Sequence, residues 1–236
     1  MSALKMPKTV AWILSVSALL LLLMSLYRLL LCMLFTPDTA PVPLWQVLVL
    51  GLRYDARWVA AISAPLLLLG LLPGLHLYKR STGKWLALIA YTVFAGFMMA
   101  LYGLDFAHLI SFNERVDGQV WAHFTSDSEQ SIGFRQNAPW MIIVLLAGVG
   151  TWLLYFIIHW LHRRIGKPRS SDDKAMRLFW QVLTLVLLLF ALYGRPATSP
   201  LSGAAAAALP SADARKAALN PFETLLPGQD TKKPAP

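Results

Sequence analysis

Five long apolar runs, at residues 9–35, 44–78, 85–111, 139–161 and 178–194, constrain this chain of 236 residues more than any other feature. Most approach or exceed the ~20 residues that a helix needs to cross the hydrocarbon core of a bilayer. In lipid every backbone N–H and C=O must find a partner within the chain, so runs of this length predict helices. With 57% hydrophobic and 14% charged residues, the composition fits no ordinary soluble domain. The expectation is an all-α polytopic membrane protein, with five transmembrane helices in residues 1–194 and an extracytoplasmic linker and tail in residues 195–236.

The connections between the runs alternate in charge, and the bias in Lys and Arg sets the orientation of insertion. Eleven basic residues fall on one side: Lys5 and Lys8; Lys79, Arg80 and Lys84; and Arg163, Arg164, Lys167, Arg169, Lys174 and Arg177. Connections of the opposite parity hold two, Arg115 and Arg135, among Asp38, Glu114, Asp117, Asp127 and Glu129. The N-terminus is therefore expected in the cytoplasm and the C-terminus outside. The first run is longer than the ~7–15 residue apolar core of a signal peptide and no small-x-small site follows it, which predicts a retained anchor.

The net charge of +9 does not call for nucleic acid, because anionic lipid headgroups account for the basic cytoplasmic loops. Cys32, the single cysteine, lies inside the first run as a small apolar packing residue, which leaves no internal disulfide and no thiol metal site. Histidines 76, 108, 123, 159 and 162 lack metal-ligand spacing. His159 and His162, beside Arg163 and Arg164, read as caps on a helix C-terminus.

The second run is too long for a simple crossing, since residues 44–78 would extend about 50 Å as one helix against ~30 Å of hydrocarbon. Its polar cluster, Gly51-Leu52-Arg53-Tyr54-Asp55-Ala56-Arg57-Trp58, is costly at bilayer depth and predicts a break. Residues 44–57 are placed at the outer surface and the span at 58–78, with a kink at Pro65. The third span is expected to end near Leu104, which brings Asp105 and His108 to the same interface, and Arg28 lies about 10 Å below the outer end of the first span. Arg28, Arg53, Asp55, Arg57, Asp105, His108 and Arg115 thus gather in the outer leaflet. Arg53 and Arg57 share a helix face while Asp55 points the other way, and two guanidinium groups on one face suit a phosphate. The same arginines could instead pair with Asp55 and Asp105 between helices, or snorkel to lipid phosphates nonspecifically.

Gly96, Ala100 and Gly103 recur at helical spacing in the third run and predict close helix packing. After Arg195 the composition turns to Pro, Ala and polar residues, which predicts an external linker. Residues 217–226 are expected to form an amphipathic turn against the membrane, and residues 227–236 to be disordered.

Several short motifs in order carry a resemblance. They are Gly51-Leu52-Arg53-Tyr54-Asp55 opening a span, Asp105-x-x-His108 before Phe112-Asn113-Glu114-Arg115-Val116, Gly194-Arg195 closing the fifth span, and Ala218-Leu219-Asn220-Pro221. Together they resemble the membrane domain of lipoteichoic acid synthase-like proteins, sulfatase-type phosphoglycerol or phosphoethanolamine transferases of the alkaline phosphatase superfamily. The resemblance implies a five-helix domain in the bacterial cytoplasmic (inner) membrane, followed by a linker on its outer surface and an extracytoplasmic catalytic domain. In the family that domain carries a threonine nucleophile and Mn2+ or Mg2+ and takes its group from a phospholipid. The external segments here offer no Asp/His-rich metal set and no activated threonine, so neither a cofactor nor catalysis is expected of this segment alone. Its implied role is to anchor and to present lipid headgroups through Arg53, Arg57 and Arg115. Its partners would be membrane phospholipids and an extracytoplasmic catalytic domain or protein. Two other readings stay open: a noncatalytic lipid-sensing regulator or scaffold, and a transporter. The transporter fits less well, because the ionisable residues gather at one interface instead of along a midplane path.

Overall fold

A computed structural model describes residues 6–35, 44–72, 74–117, 120–137, 140–166, 174–194 and 203–225. The expected disordered segment 227–236, and the basic connection around Arg169, lie outside the described residues. Five long helices cover the apolar runs: α1 (Lys8–Phe35), α2 (Leu44–Leu71), α3 (Ser81–Phe112), α6 (Trp140–Ile165) and α7 (Lys174–Tyr193). Between α3 and α6 lie two short helices, α4 (Val120–Thr125) and α5 (Glu129–Asn137). A 3-10 segment (Gly203–Ala208) and two further short helices, α8 (Ala212–Ala218) and α9 (Pro221–Thr224), follow α7. Among the described residues there is no strand. The chain is thus all-α, and five of its helices are long and apolar enough to cross a membrane.

What these helices expose supports that reading. On α7 only Thr184 and Leu188 are buried, while Val186 and Phe190 are each 55% exposed. On α6, Val144, Leu145, Trp152 and Phe156 are likewise exposed. A helix apolar on every side belongs in a large core or in lipid, and these sides have no protein core around them.

The second run departs from expectation. In place of a break at residues 51–58 and a span at 58–78, α2 runs uninterrupted from Leu44 to Leu71, with Pro65 inside it. The charges are accommodated side chain by side chain: Asp55 is fully buried, Arg57 half-buried and Arg53 exposed. The cost of intramembrane charge applies to groups facing lipid, so burial removes it for Asp55, and the helix runs on through the cluster. The helix ends at Leu71 because Leu72 precedes Pro73 in the sequence, and a residue before proline is pushed out of the α region. Leu72 N–H closes the end on the Leu69 carbonyl at 3.1 Å.

The chain divides into two compact units, and the divisions fall inside α1, α2, α3 and α6. The first comprises Met1–Met24, Asp55–Ala95 and Thr151–Pro200. Its centre is Trp12, fully buried, whose indole N–H donates to the Ile158 carbonyl at 3.3 Å. The indole meets Tyr91 and His162 edge to face, at 5.5 and 5.3 Å between ring centroids. His162 does not cap its own helix as the sequence suggested. Its Nε2 lies 3.2 Å from the Leu77 carbonyl and its ring stacks on Tyr78, so it binds the connection after α2.

A hydroxyl chain joins three helices of this unit. Ser63 Oγ lies 2.9 Å from Ser17 Oγ and accepts from the Tyr91 hydroxyl at 3.0 Å. All three residues are buried, and hydrogen bonds between membrane helices contribute on average about 0.6 kcal/mol each. Ser63→Ala removes both bonds. It should lower unfolding stability in detergent micelles by about 1 kcal/mol, and Tyr91→Phe in that background should cost less than it does alone. Full additivity of the two would show that the chain is not a unit.

Candidate functional site

The second unit, Ser25–Tyr54, Gly96–Gly150 and Leu201–Pro236, holds most of the singled-out residues. Its polar centre is Asp105, fully buried on α3. α3 stops at Phe112, and Asn113 adopts a left-handed backbone with φ 53°. Asparagine tolerates that conformation because its short side chain can hydrogen-bond locally. The turn folds the chain back, so Arg115 Nε donates to Asp105 Oδ1 at 2.9 Å and Val116 N–H to the same oxygen at 3.1 Å. The Tyr27 hydroxyl from α1 donates to Oδ2 at 2.7 Å. The carboxylate thus receives three donors, as a buried charge requires. Burial works against the charge on Arg115, but Asp105, with Tyr27 and Tyr102, more than offsets it and raises the guanidinium above its ordinary value.

The segment after α7 is built from local signals. Ser211 caps α8, its hydroxyl accepting from Ala214 N–H, and Asn220 caps α9, its side-chain oxygen accepting from Glu223 N–H. Ser and Asn are favoured caps, and Pro221 at the first position of α9 has a φ already suited to a helix. Residues 217–226 are therefore not one amphipathic turn: the cap at Asn220 splits them, and Pro221, Phe222 and Glu223 are buried. Phe222 packs edge to face on Phe97 and Tyr102, at 5.6 and 6.3 Å. Leu209, Ala214, Ala217 and Ala218 pack with Cys32 of α1 and Val47 of α2, and Ala206 and Leu219 with Tyr54.

Two arginines lock this segment down. The last carbonyls of a helix have no partner within it. In α8, that of Lys216 accepts from Arg115 Nη1 and that of Ala217 from Arg28 Nε, each at 3.1 Å. Lys216 Nζ returns a bond to the Asn113 carbonyl at 2.7 Å. Arg28 lies so close over Gly51 that a Cβ there would overlap its Nε and Cζ. In the sequence Gly51 stands out only as the first residue of the polar cluster and of the Gly51-Leu52-Arg53-Tyr54-Asp55 motif, without a packing role, and Tyr27 and Lys216 were not singled out. A glycine inside a long apolar helix is a usable signal of close approach; the other two leave no local trace.

The remaining candidates separate. His108 is buried, with Nδ1 2.9 Å from the Glu114 carbonyl and its ring against Phe112 and Phe134. It belongs to an aromatic cluster that Phe124 and Trp140 extend. Gly103 meets α6, since a Cβ there would stand 2.5 Å from Ile143 Cγ2, whereas Gly96 is half-buried and Ala100 exposed. Asp55 and Arg57 belong to the first unit.

Arg53 is exposed and lines an open pocket of about 290 Å3. One wall is a single face of α2, formed with Arg53 by Trp45, Gln46, Val49 and Leu50; the other is Ala205, Ala208 and Leu209. Among the described residues no three His, Cys, Asp or Glu side chains are placed to hold a metal ion.

Fold and site together define a multi-pass helical membrane protein whose segment after the fifth long helix is docked by buried arginines. No family model, curated protein or solved structure matches the chain.

Proposed function

We propose that this chain is the membrane-anchoring and lipid-headgroup-presenting domain of a lipoteichoic acid synthase-like phosphoglycerol or phosphoethanolamine transferase, not catalytic by itself. It would lie in the bacterial cytoplasmic membrane with its N-terminus inside. The observation that carries the reading is the division of labour among the arginines. Arg28 and Arg115 are buried and bonded to α8, whereas Arg53 is exposed beside an apolar pocket. A guanidinium so placed can take a phosphate oxygen while the apolar wall takes the lipid's hydrocarbon. The docked segment 203–225 supports the anchoring half of the reading, because a domain attached beyond it would depart from a fixed point. Such a domain would supply the threonine nucleophile and the Mn2+ or Mg2+.

Replacing Arg53, whose side chain is exposed, by Gln should reduce retention of phosphatidylglycerol in native mass spectrometry at least several-fold, with the unfolding midpoint unchanged. Undiminished retention would remove Arg53 from any headgroup site.

A further inference from the structure

We infer that the pocket between α2 and the 3-10 segment is a phospholipid site whose occupancy is linked to the docking of residues 203–225. The inference rests on the headgroup reading of Arg53 and extends it to the lipid's hydrocarbon and to the tail.

The walls argue the chemistry of the occupant. Val49, Leu50, Ala205, Ala208 and Leu209 make the lining largely apolar, and the alanines leave its volume unfilled. The polar groups are Gln46 and Arg53, seven residues apart on one face of α2, which separates them by about 10 Å along the helix axis. No acidic side chain lines the space, so the guanidinium gives it a single, positive sign. An amphiphile with a phosphate at one end and hydrocarbon beyond matches this layout. Inorganic phosphate would find one cation and an apolar wall. The surroundings indicate the source: Leu44, Trp45 and Leu52 are exposed on the same stretch of a helix apolar enough to span a membrane. At about 290 Å3 the space lies just below the range of ligand sites, ~300–1,000 Å3, and suits only part of one lipid.

The walls also argue the linkage. Ala205, Ala208 and Leu209 come from the segment after α7, and the other five lining residues from α2. The pocket therefore exists only while the segment is docked. A ligand that binds the docked state alone stabilises it in proportion to 1 + [L]/Kd, and docking strengthens binding by the same factor. At a lipid concentration 100 times Kd, the docking equilibrium shifts about 100-fold.

The test uses the whole chain, delipidated in mild detergent, with Ala208→Cys. Ala208 is exposed, and the one native cysteine, Cys32, is buried, so a maleimide reports position 208 against the background of the unsubstituted protein. Short-chain phosphatidylglycerol should slow labelling at least tenfold, inorganic phosphate should not, and the lipid should also slow hydrogen exchange across residues 203–225. Ala208→Trp, which fills the space, should reduce phosphatidylglycerol retention while exchange in the segment stays slow. Unchanged labelling with lipid overturns the site, as does equal protection by inorganic phosphate. Protection without slower exchange overturns the linkage. If Arg53→Gln lowers lipid retention but position 208 is not protected, this inference fails and the headgroup reading stands; if neither responds, both fail.

Discussion

Replacing Asp105 by Ala is expected to lower unfolding stability by about 3–5 kcal/mol, the cost of removing one partner of a buried ion pair. The figure needs no discount for solvent, because the Asp105 side chain is 0% and the Arg115 side chain 6% exposed. Three donors lose their acceptor together: Arg115 Nε, Val116 N–H and the Tyr27 hydroxyl. Asp105→Asn should cost less, since its amide oxygen can still accept from Arg115. The effect should also travel. Arg115 Nη1 holds the Lys216 carbonyl, so hydrogen exchange should quicken at 214–219 as well as at 113–117. Arg115→Met in the Asp105→Ala background should recover part of the loss, because the remaining buried charge is then gone. Denaturant unfolding in micelles with exchange mass spectrometry decides the matter. A loss under 1 kcal/mol, or faster exchange confined to 113–117, would mean that the pair does not hold the segment after α7.

Much of the fold was legible because the bilayer imposes one simple rule on long apolar runs. The runs expected at 9–35, 85–111, 139–161 and 178–194 reappear as Lys8–Phe35, Ser81–Phe112, Trp140–Ile165 and Lys174–Tyr193. Local chemistry set several ends: Gly194 closes α7 with φ 82° and its N–H on the Phe190 carbonyl, the left-handed glycine that commonly follows a helix. The second run was misread because sequence gives the charge of Asp55 but not its burial, and burial decides whether the helix must break. The candidate site was legible as a set of residue types and not as an arrangement. Asp105 and Arg115 are ten positions apart, and a turn at Asn113 brings them together, whereas Arg28 and Ala217 are 189 apart. No period or spacing encodes that second contact. Composition marked residues 195–236 as a linker because alanine, proline and scattered charge read as polar and loose. Alanines also let helices approach closely, and here they pack α8 against Cys32 and Val47.

The arginine that clamps Ala217 depends on the absence of a side chain at Gly51, and this gives the sharpest test of the docked segment. Gly51→Ala should lower unfolding stability by about 3 kcal/mol and speed exchange across 203–225, although alanine is the better helix former. The favourable part is about 1 kcal/mol of helix propensity. Against it stand overpacking, about 1–3 kcal/mol, and an Ala217 carbonyl left buried without its donor, about 1–3 kcal/mol. The unfavourable sum wins because the new methyl meets Nε, Cζ and Nη1 of Arg28, the guanidinium that holds the Ala217 carbonyl, and Arg28 is only 3% exposed. It cannot swing into solvent without leaving its bond to α8. The control is Leu52→Ala, next in sequence but exposed, which should leave exchange at 203–225 unchanged. The decisive comparison is Gly51→Ala in an Arg28→Ala background, where the methyl has nothing to displace and only the propensity gain remains. There the substitution should be neutral or stabilising by up to about 1 kcal/mol. If Gly51→Ala instead costs the same with or without Arg28, the glycine serves the packing of α2, and the clamp on Ala217 is not what keeps residues 203–225 in place.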